Sequence, residues 1–298
     1  MNFIHVCPAM HHLQFRAGEC DVEAAMYVKL GRHPGLVSYI GTCSTTSEQI
    51  ILTEFAAMGA LSAFFKDRRE DLSLSHKLSM MRQISSAMEA LTEADIVHRD
   101  LAARNVLVFD FDPANPQRTR VKVSDFGLSV STYGRSHRTV TGNVLPFRWM
   151  SPEAIKKGRF NEASDMWAMG VTMWEILTGG DIPYAYIGND DHVARQVCEG
   201  TLRLSQPEGC PEGLWALIKD KCWDEDPKRR PSFKELSIAL TNIDGSSLYE
   251  ALAERDAAER AAADRTHSQQ PVSNEHFYYN MSWRSWVHKS VDIQCVKV

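Results

Sequence analysis

The stretch VHRDLAARN, residues 97–105, sets His98, Arg99, Asp100, Arg104 and Asn105 around only three small or apolar residues, Leu101, Ala102 and Ala103. A polar cluster of this length is ordinarily a solvated loop. The other reading is that the carboxylate of Asp100 and the amide of Asn105 face one small volume. The neighbouring sequence decides between them. Upstream, LSHKLSMMRQISSAMEALTEADI (74–96) has the apolar spacing of a long amphipathic helix that ends just before the cluster. Downstream, NVLVF (105–109) and RVKVSDF (120–126) read as strands, joined by DFDPANPQRT, which is longer than a tight hairpin connection.

Composition sets outer bounds. The 298 residues are enough for one large domain or two lobes around a cleft, and 44% hydrophobic with 24% charged content is that of a soluble globular chain. A formal net charge of -5 supplies no basic field for nucleic acid, so no nucleic-acid partner is expected. The seven cysteines (7, 20, 43, 198, 210, 222, 295) form no CxxC pair, which argues against a zinc site or a disulfide framework and for reduced thiols in the cytoplasm. The N-terminal MNFIHVCPAMHHLQF lacks the pattern of a signal peptide. The most apolar run, MWAMGVTMWEIL (166–177), is too short to span a bilayer and carries Glu175, so it reads as a buried core helix.

The rest of the chain alternates clear elements. A short helix is expected over Glu19–Lys29, with Val22, Met26 and Leu30 spaced for one face, then strands in HPGLVSYIGTC (33–43) and QIILTEFAA (49–57). Further helices are expected around 151–157, 164–178, 190–199, 211–221 and 232–243. From Gly245 the composition shifts to SLYEALAERDAAERAAADR, a helix polar on most faces, then to SQQPVSN, a linker. The last segment, HFYYNMSWRSWVHKSVDIQCVKV, is aromatic and basic.

Twenty residues beyond Asn105 stands DFG (125–127), and further on SPE (151–153). A lone DFG arises by chance in roughly a few per cent of chains of this length. HRD, the Asn five positions after its Asp, DFG and SPE in this order and spacing do not. With these motifs the chain, from about residue 19 to 243, resembles the protein kinase family, and within it the tyrosine kinases. HRDLAARN has Ala102 where serine/threonine kinases typically carry Lys. LPFRWMSPE (145–153) looks like the tyrosine-kinase substrate loop, with Pro146 shaping a shelf for a phenolic ring. SDMWAMGVTMWEI (164–176), GTLRLSQPEGCP (200–211), KCW (221–223) and DPKRRPSF (226–233) match later signatures in the expected order.

The resemblance implies an α+β, two-lobed fold: a partial small lobe over 1–57, a helical large lobe over 58–243, and a tail over 244–298. It implies ATP and Mg²⁺ as cofactors and protein substrates bearing tyrosine. Phosphoryl transfer needs positioning and charge stabilisation. Asp100 is then expected to accept the substrate hydroxyl proton, Arg104 to stand beside it, and Asn105 and Asp125 to hold the metal through hard oxygen ligands. TEFAAMG (53–59) resembles a hinge. Thr53 would guard the back of the nucleotide pocket, the Glu54 carbonyl and Ala56 amide would face adenine, and Leu107 would form the floor. Glu23 stands where the partner of a phosphate-binding Lys belongs. His98 and Phe126 are read as packing residues. Asp165 is expected to accept from backbone amides of the catalytic loop, and Glu153 with Arg230 to form a buried ion pair. Tyr133 is expected to be an activating phosphorylation site with Arg99 as its phosphate partner, and Tyr278, in YYNM, to recruit phosphotyrosine-binding adaptors.

The pattern departs from the family at one end. Residues 1–22 hold one glycine, Gly18, and no lysine; the first lysine, Lys29, follows Glu23. The Gly-rich loop and the lysine strand are absent from this chain, and His5 is a poor substitute because it is largely neutral at pH 7. The intact Asp100, Asn105 and Asp125 favour a piece of an active tyrosine kinase, located in the cytoplasm or attached to a membrane through preceding segments. A catalytically impaired kinase-like binding module or scaffold, and a serine/threonine kinase of a tyrosine-kinase-like group, stay open as alternatives. An isolated chain with strands missing from its small sheet would also present an exposed edge.

Overall fold

A computed structural model describes residues 10–15, 19–44, 49–132, 138–139, 145–244 and 294–295. The first lobe is a small antiparallel sheet with one helix. Strand β1 (Met10–Phe15) precedes helix α1 (Glu19–Leu30), and strands β2 (Tyr39–Ser44) and β3 (Gln49–Glu54) follow. The sheet order is β1-β3-β2-β10, where β10 is the two-residue Gln294–Cys295 from the end of the chain. Helix α1 lies against β2 and β3. Among the described residues β1 is therefore the edge of the sheet, beside β3. Its register sets His11 opposite Thr53 and Leu13 opposite Ile51, and its sequence, MHHLQF, contains no lysine.

The strand expected from 33 begins only at Tyr39. His33-Pro34-Gly35 turns instead, with Leu36 N donating to His33 O, and the segment then joins the other lobe. Val123 N donates to Gly35 O at 2.8 Å and Val37 N to Val123 O at 3.0 Å. A second link runs behind the connection between the lobes. The Glu54 carboxylate accepts from Ser38 N and from Lys122 Nζ, both at 2.6 Å, and the Lys122 ammonium lies 4.7 Å from the Phe109 ring centroid. Because both charges keep partial water contact, the pair is worth only about 1 kcal/mol. Lys122→Met is expected to lower the unfolding free energy, measured by urea denaturation, by that amount. An unchanged free energy would show the pair to be fully screened.

The second lobe is helical. It runs through α2 (Leu61–Arg68), α3 (Leu74–Glu93), β4 (Ile96–Val97), β5 (Val106–Asp110), β6 (Arg120–Val123), β7 (Val130–Ser131), β8 (Arg138–Thr139), α4 (Pro152–Lys157) and β9 (Arg159–Phe160). It continues with α5 (Glu162–Thr178), α6 (Asp190–Glu199), α7 (Glu212–Ala216) and α8 (Phe233–Asp244). Helix α3 starts at Ser73, which forms a reciprocal cap with His76, and packs on α5, α8 and β6. Helix α5 is buried from Ser164 to Leu177, as its largely apolar sequence predicts. It starts two residues earlier than expected because the Asn161 side chain accepts from Ser164 N and caps it. At Gly170 a Cβ would stand 2.5 Å from Trp223 Nε1 and 2.9 Å from Cys222 Cβ, so only glycine lets α5 approach the Cys222–Trp223 segment this closely. The helix expected over 211–221 widens after Ala216, and Trp223 N bonds five residues back to Ile218 O. The polar helix and linker expected after Gly245 lie outside the described residues.

Candidate functional site

The loop 97–105 is built from below. Asp165, in the first turns of α5, is fully buried and accepts from His98 N at 2.7 Å and Arg99 N at 2.9 Å. Burial pushes its carboxyl up to about 6, against the two amides and Arg99. Arg99 has φ 70, a left-handed conformation that a branched-length side chain adopts only under constraint, and the Asp165 carboxylate supplies that constraint. The role expected of Asp165 thus has its geometry.

His98 is fixed on both nitrogens. Nε2 lies 3.1 Å from the Ser124 carbonyl and Nδ1 accepts from Asp100 N at 3.3 Å, which assigns the neutral Nε2–H tautomer. Asp100 and Asn105 do face one volume. Asn105 Nδ2 donates to Asp100 O at 2.7 Å and to Asp100 Oδ2 at 2.8 Å, and Arg104 forms an ion pair with Asp100 Oδ1. With Nδ2 turned to Asp100, the Asn105 oxygen is the atom left for a cation. Ser124 N and Oγ both donate to Asn105 O, so the loop is tied directly to the strand that leads into DFG.

Asp125 also sits at a positive φ, 63°, and accepts from Gly127 N at 3.2 Å. Phe126 is buried with its ring 4.7 Å from Tyr27 and 5.6 Å from His98, and Tyr27 stacks on Tyr39 at 5.8 Å. Phe126 N donates to Glu23 Oε1 at 3.3 Å, which brings α1 onto this turn. Glu23 is 1% exposed, and its Oε2 has no hydrogen-bond partner. Burial first, and then the neighbouring Asp125, push its carboxyl up to about 7. Among the described residues no three His, Cys, Asp or Glu side chains gather as a metal site. The fit to Mg²⁺ therefore rests on Asn105 and Asp125, one amide oxygen and one carboxylate, which suits a cation that keeps waters and phosphate oxygens as its other ligands.

Two residues of the site were not anticipated from the sequence. Glu175 accepts from Ala103 N and Trp149 Nε1, both at 2.9 Å, and the Arg104 guanidinium lies 4.4 Å from the Trp149 ring centroid. Burial pushes the Glu175 carboxyl up to about 7. A lone carboxylate in the apolar run 166–177 was the available signal.

On the other side of the cleft Thr53 and Ala56 are buried, and Leu107 pairs with Ala60 in an isolated bridge just past the connection between the lobes. The Glu54 side chain is occupied by Ser38 and Lys122. Pro146 lies in the 145–150 loop, whose Arg148 reaches the turn after α5. Arg230 meets Glu153 with two parallel bonds of 2.7 and 2.9 Å and also donates to Asp224 O and Ala163 O. Arg99 donates to Leu128 O at 2.7 Å and packs 4.3 Å from the Phe160 ring centroid. Tyr133 and Tyr278 lie outside the described residues.

Comparison with known proteins gives consistent matches. The family described as protein tyrosine and serine/threonine kinase matches residues 10–240. Inactive tyrosine-protein kinase 7 of Gallus gallus is 39% identical over 226 residues, covering 73% of this chain and 21% of that protein. The transforming protein Abl, a tyrosine-protein kinase of Abelson murine leukemia virus, is 38% identical over 222 residues, 74% of this chain and 28% of that protein. The corresponding Fps protein of avian sarcoma virus is 34% identical over 213 residues, 71% and 38%. The chain thus spans between about a fifth and two fifths of the length of these relatives.

Proposed function

The chain belongs to the protein tyrosine and serine/threonine kinase family, and from that membership we propose that it transfers the γ-phosphate of ATP to tyrosine hydroxyls of proteins in intracellular signalling. The observation that carries the reading is the joint engagement of Asp100 by Asn105 and Arg104, over a loop cradled by Asp165. Asp100 aims the substrate hydroxyl and takes its proton. Asn105 and Asp125 would hold Mg²⁺, which when bound neutralises charge on the phosphates. Arg104, braced on Trp149 and Glu175, keeps the Asp100 carboxylate oriented. Thr53, the Glu54 carbonyl, the Ala56 amide and Leu107 frame adenine, and Pro146 presents the shelf for the phenolic ring. Ala102 and Pro146 support tyrosine over serine or threonine. We divide the chain at the hinge into a small lobe over 1–57, a large lobe over 58–243 and a tail from 244. The free thiols of Cys198, Cys210 and Cys222 support a cytoplasmic setting. No helix among the described residues is long and apolar enough to cross a membrane. Tyr133 remains the expected activating phosphosite, with Arg99 proposed as its phosphate partner.

A second reading, a catalytically impaired binding module, is favoured by one specific observation. Strand β1 offers no lysine, and Glu23 Oε2 lacks a partner. Losing one preorganised donor to a developing charge costs about 10²–10³ in rate. The full chain with Mg-ATP and a tyrosine peptide is therefore expected to label tyrosine slowly. A lysine placed in β1, tested at position 11 and at position 13, is expected to recover that factor at one of the two. Labelling of serine or threonine alone would reverse the substrate class. No labelling in the wild type or in either variant would establish the binding-module reading.

A further inference from the structure

Four of the tyrosines lie among the described residues, and two of them are out of reach of an enzyme. Tyr27 and Tyr184 are 3% and 4% exposed, while Tyr39 is half-buried and stacks on Tyr27. Tyr186 is 78% exposed. The contrast between Tyr184 and Tyr186, two positions apart, is produced by the turn between α5 and α6. Tyr184 takes a left-handed conformation, φ 55, which a residue of its size adopts only when the surroundings enforce it. Arg148 enforces it from the 145–150 loop, donating to Pro183 O at 2.8 Å, Tyr184 O at 2.7 Å and Ile187 O at 2.6 Å. These bonds bracket Tyr186 on both sides, so its ring is thrown outward while Tyr184 is held in.

Apart from the Arg148 bonds, the turn has few ties of its own on the Tyr186 side. Between residues 182 and 187 its own backbone ties are Ala185 N to Ile182 O at 3.2 Å and Ile187 N to Tyr184 O at 2.9 Å. At Gly188 a Cβ would find nothing within 4 Å. A tyrosine with an exposed phenol, at the tip of a turn whose neighbours Tyr184 and Ile187 stay anchored in the core, presents its acceptor ring to an enclosing enzyme.

We propose that Tyr186 is a phosphorylation site, and that its phosphate acts on the 145–150 loop through Arg148. The modifying enzyme is an ATP-dependent tyrosine kinase, either a second copy of this chain or another member of its class. A bond forms between Tyr186 Oη and the γ-phosphorus as the bond from that phosphorus to the β,γ-bridging oxygen breaks. ADP leaves, and the phenolic proton passes to the carboxylate base of the modifying enzyme and then to water. The product carries about two negative charges. They arrive on a turn that already holds Asp181, Asp190 and Asp191, and Asp190 is the residue that pairs with Arg148 Nε at 2.7 Å. Repulsion between the phosphate and the Asp190 carboxylate, together with competition for Arg148, loosens the clamp on the 145–150 loop.

The test uses the full chain carrying Asp100→Asn, so that its own catalysis plays no part, with a purified active tyrosine kinase domain and Mg-ATP. Phosphate is mapped by mass spectrometry. Label on Tyr186, none on Tyr27 or Tyr184, and loss of that label in Tyr186→Phe are expected. Amide exchange over residues 145–150 is expected to rise several-fold in the phosphorylated protein relative to Tyr186→Phe treated in the same way. Label confined to other tyrosines, or label on Tyr186 only after thermal unfolding, overturns the site. Label on Tyr186 with unchanged exchange over 145–150 overturns its action on the loop. None of these outcomes depends on whether this chain is itself an active kinase.

Discussion

Asp100→Asn is expected to lower phosphotransfer by about 10²–10⁴ while leaving Mg-ATP affinity within a few-fold of the wild type. The carboxylate is the only group at the centre of the loop that can accept a proton from the substrate hydroxyl. The substitution keeps the shape and leaves Asn105 Nδ2 bonded to the Asp100 carbonyl, which is a backbone atom. Arg104 loses its ionic partner, so its guanidinium is expected to lean further on the Trp149 ring. The measurement is a single-turnover rate with a tyrosine peptide, beside nucleotide affinity by calorimetry. A variant that retained the wild-type rate would show that Asp100 is not the proton acceptor. A variant that lost rate and nucleotide affinity in parallel would show that the change had disturbed the nucleotide site instead.

Arg230→Met is expected to destabilise the large lobe by about 3–5 kcal/mol, the cost of leaving a buried charge without its partner. The Arg230 side chain is 0% exposed and makes bonds to Glu153, Asp224 and Ala163, while Glu153 keeps 17% of its side-chain surface in water. For a domain of this size the shift corresponds to a fall of roughly 10 °C in the midpoint of thermal unfolding. The double variant Arg230→Met with Glu153→Gln is expected to recover part of the loss, because it removes the stranded carboxylate. If the double variant falls by the full sum of the two single changes, the pair has no mutual coupling and the anchor lies in the carbonyl bonds alone.

The residues that were legible in the sequence are those whose identity and spacing the kinase motifs specify. Asp100, Arg104, Asn105 and Asp125 stand at short, fixed separations, and each has few substitutes. Asp165, Glu153 and Arg230 were reachable because the motif order gave their register. Glu175 and Trp149 were not, since their relation to Ala103 and Arg104 depends on how α5 and the 145–150 loop pack, and local sequence does not report contacts between residues far apart in the chain. The column of Tyr39, Tyr27, Phe126 and His98 was hidden for the same reason. Element boundaries moved where side chains intervened: Asn161 extended α5 backward, and the turn at His33-Pro34-Gly35 delayed β2. The missing lysine was legible as an absence, yet nothing in MHHLQF announced that the segment would still pair as a strand beside Thr53.

The cradle that Asp165 makes under the loop has a consequence for synthesis of the chain. Its two bonds join residues 67 and 66 positions apart, and the Glu153–Arg230 pair joins residues 77 apart. As the chain leaves the ribosome, residues 97–105 emerge long before the carboxylate that holds Arg99 in its left-handed turn. Until α5 has been made and has docked, that turn has nothing to hold it, and the nascent segment samples other conformations. Nascent chains stalled before Asp165 should therefore lack the site altogether, and those stalled before Arg230 should hold it unanchored.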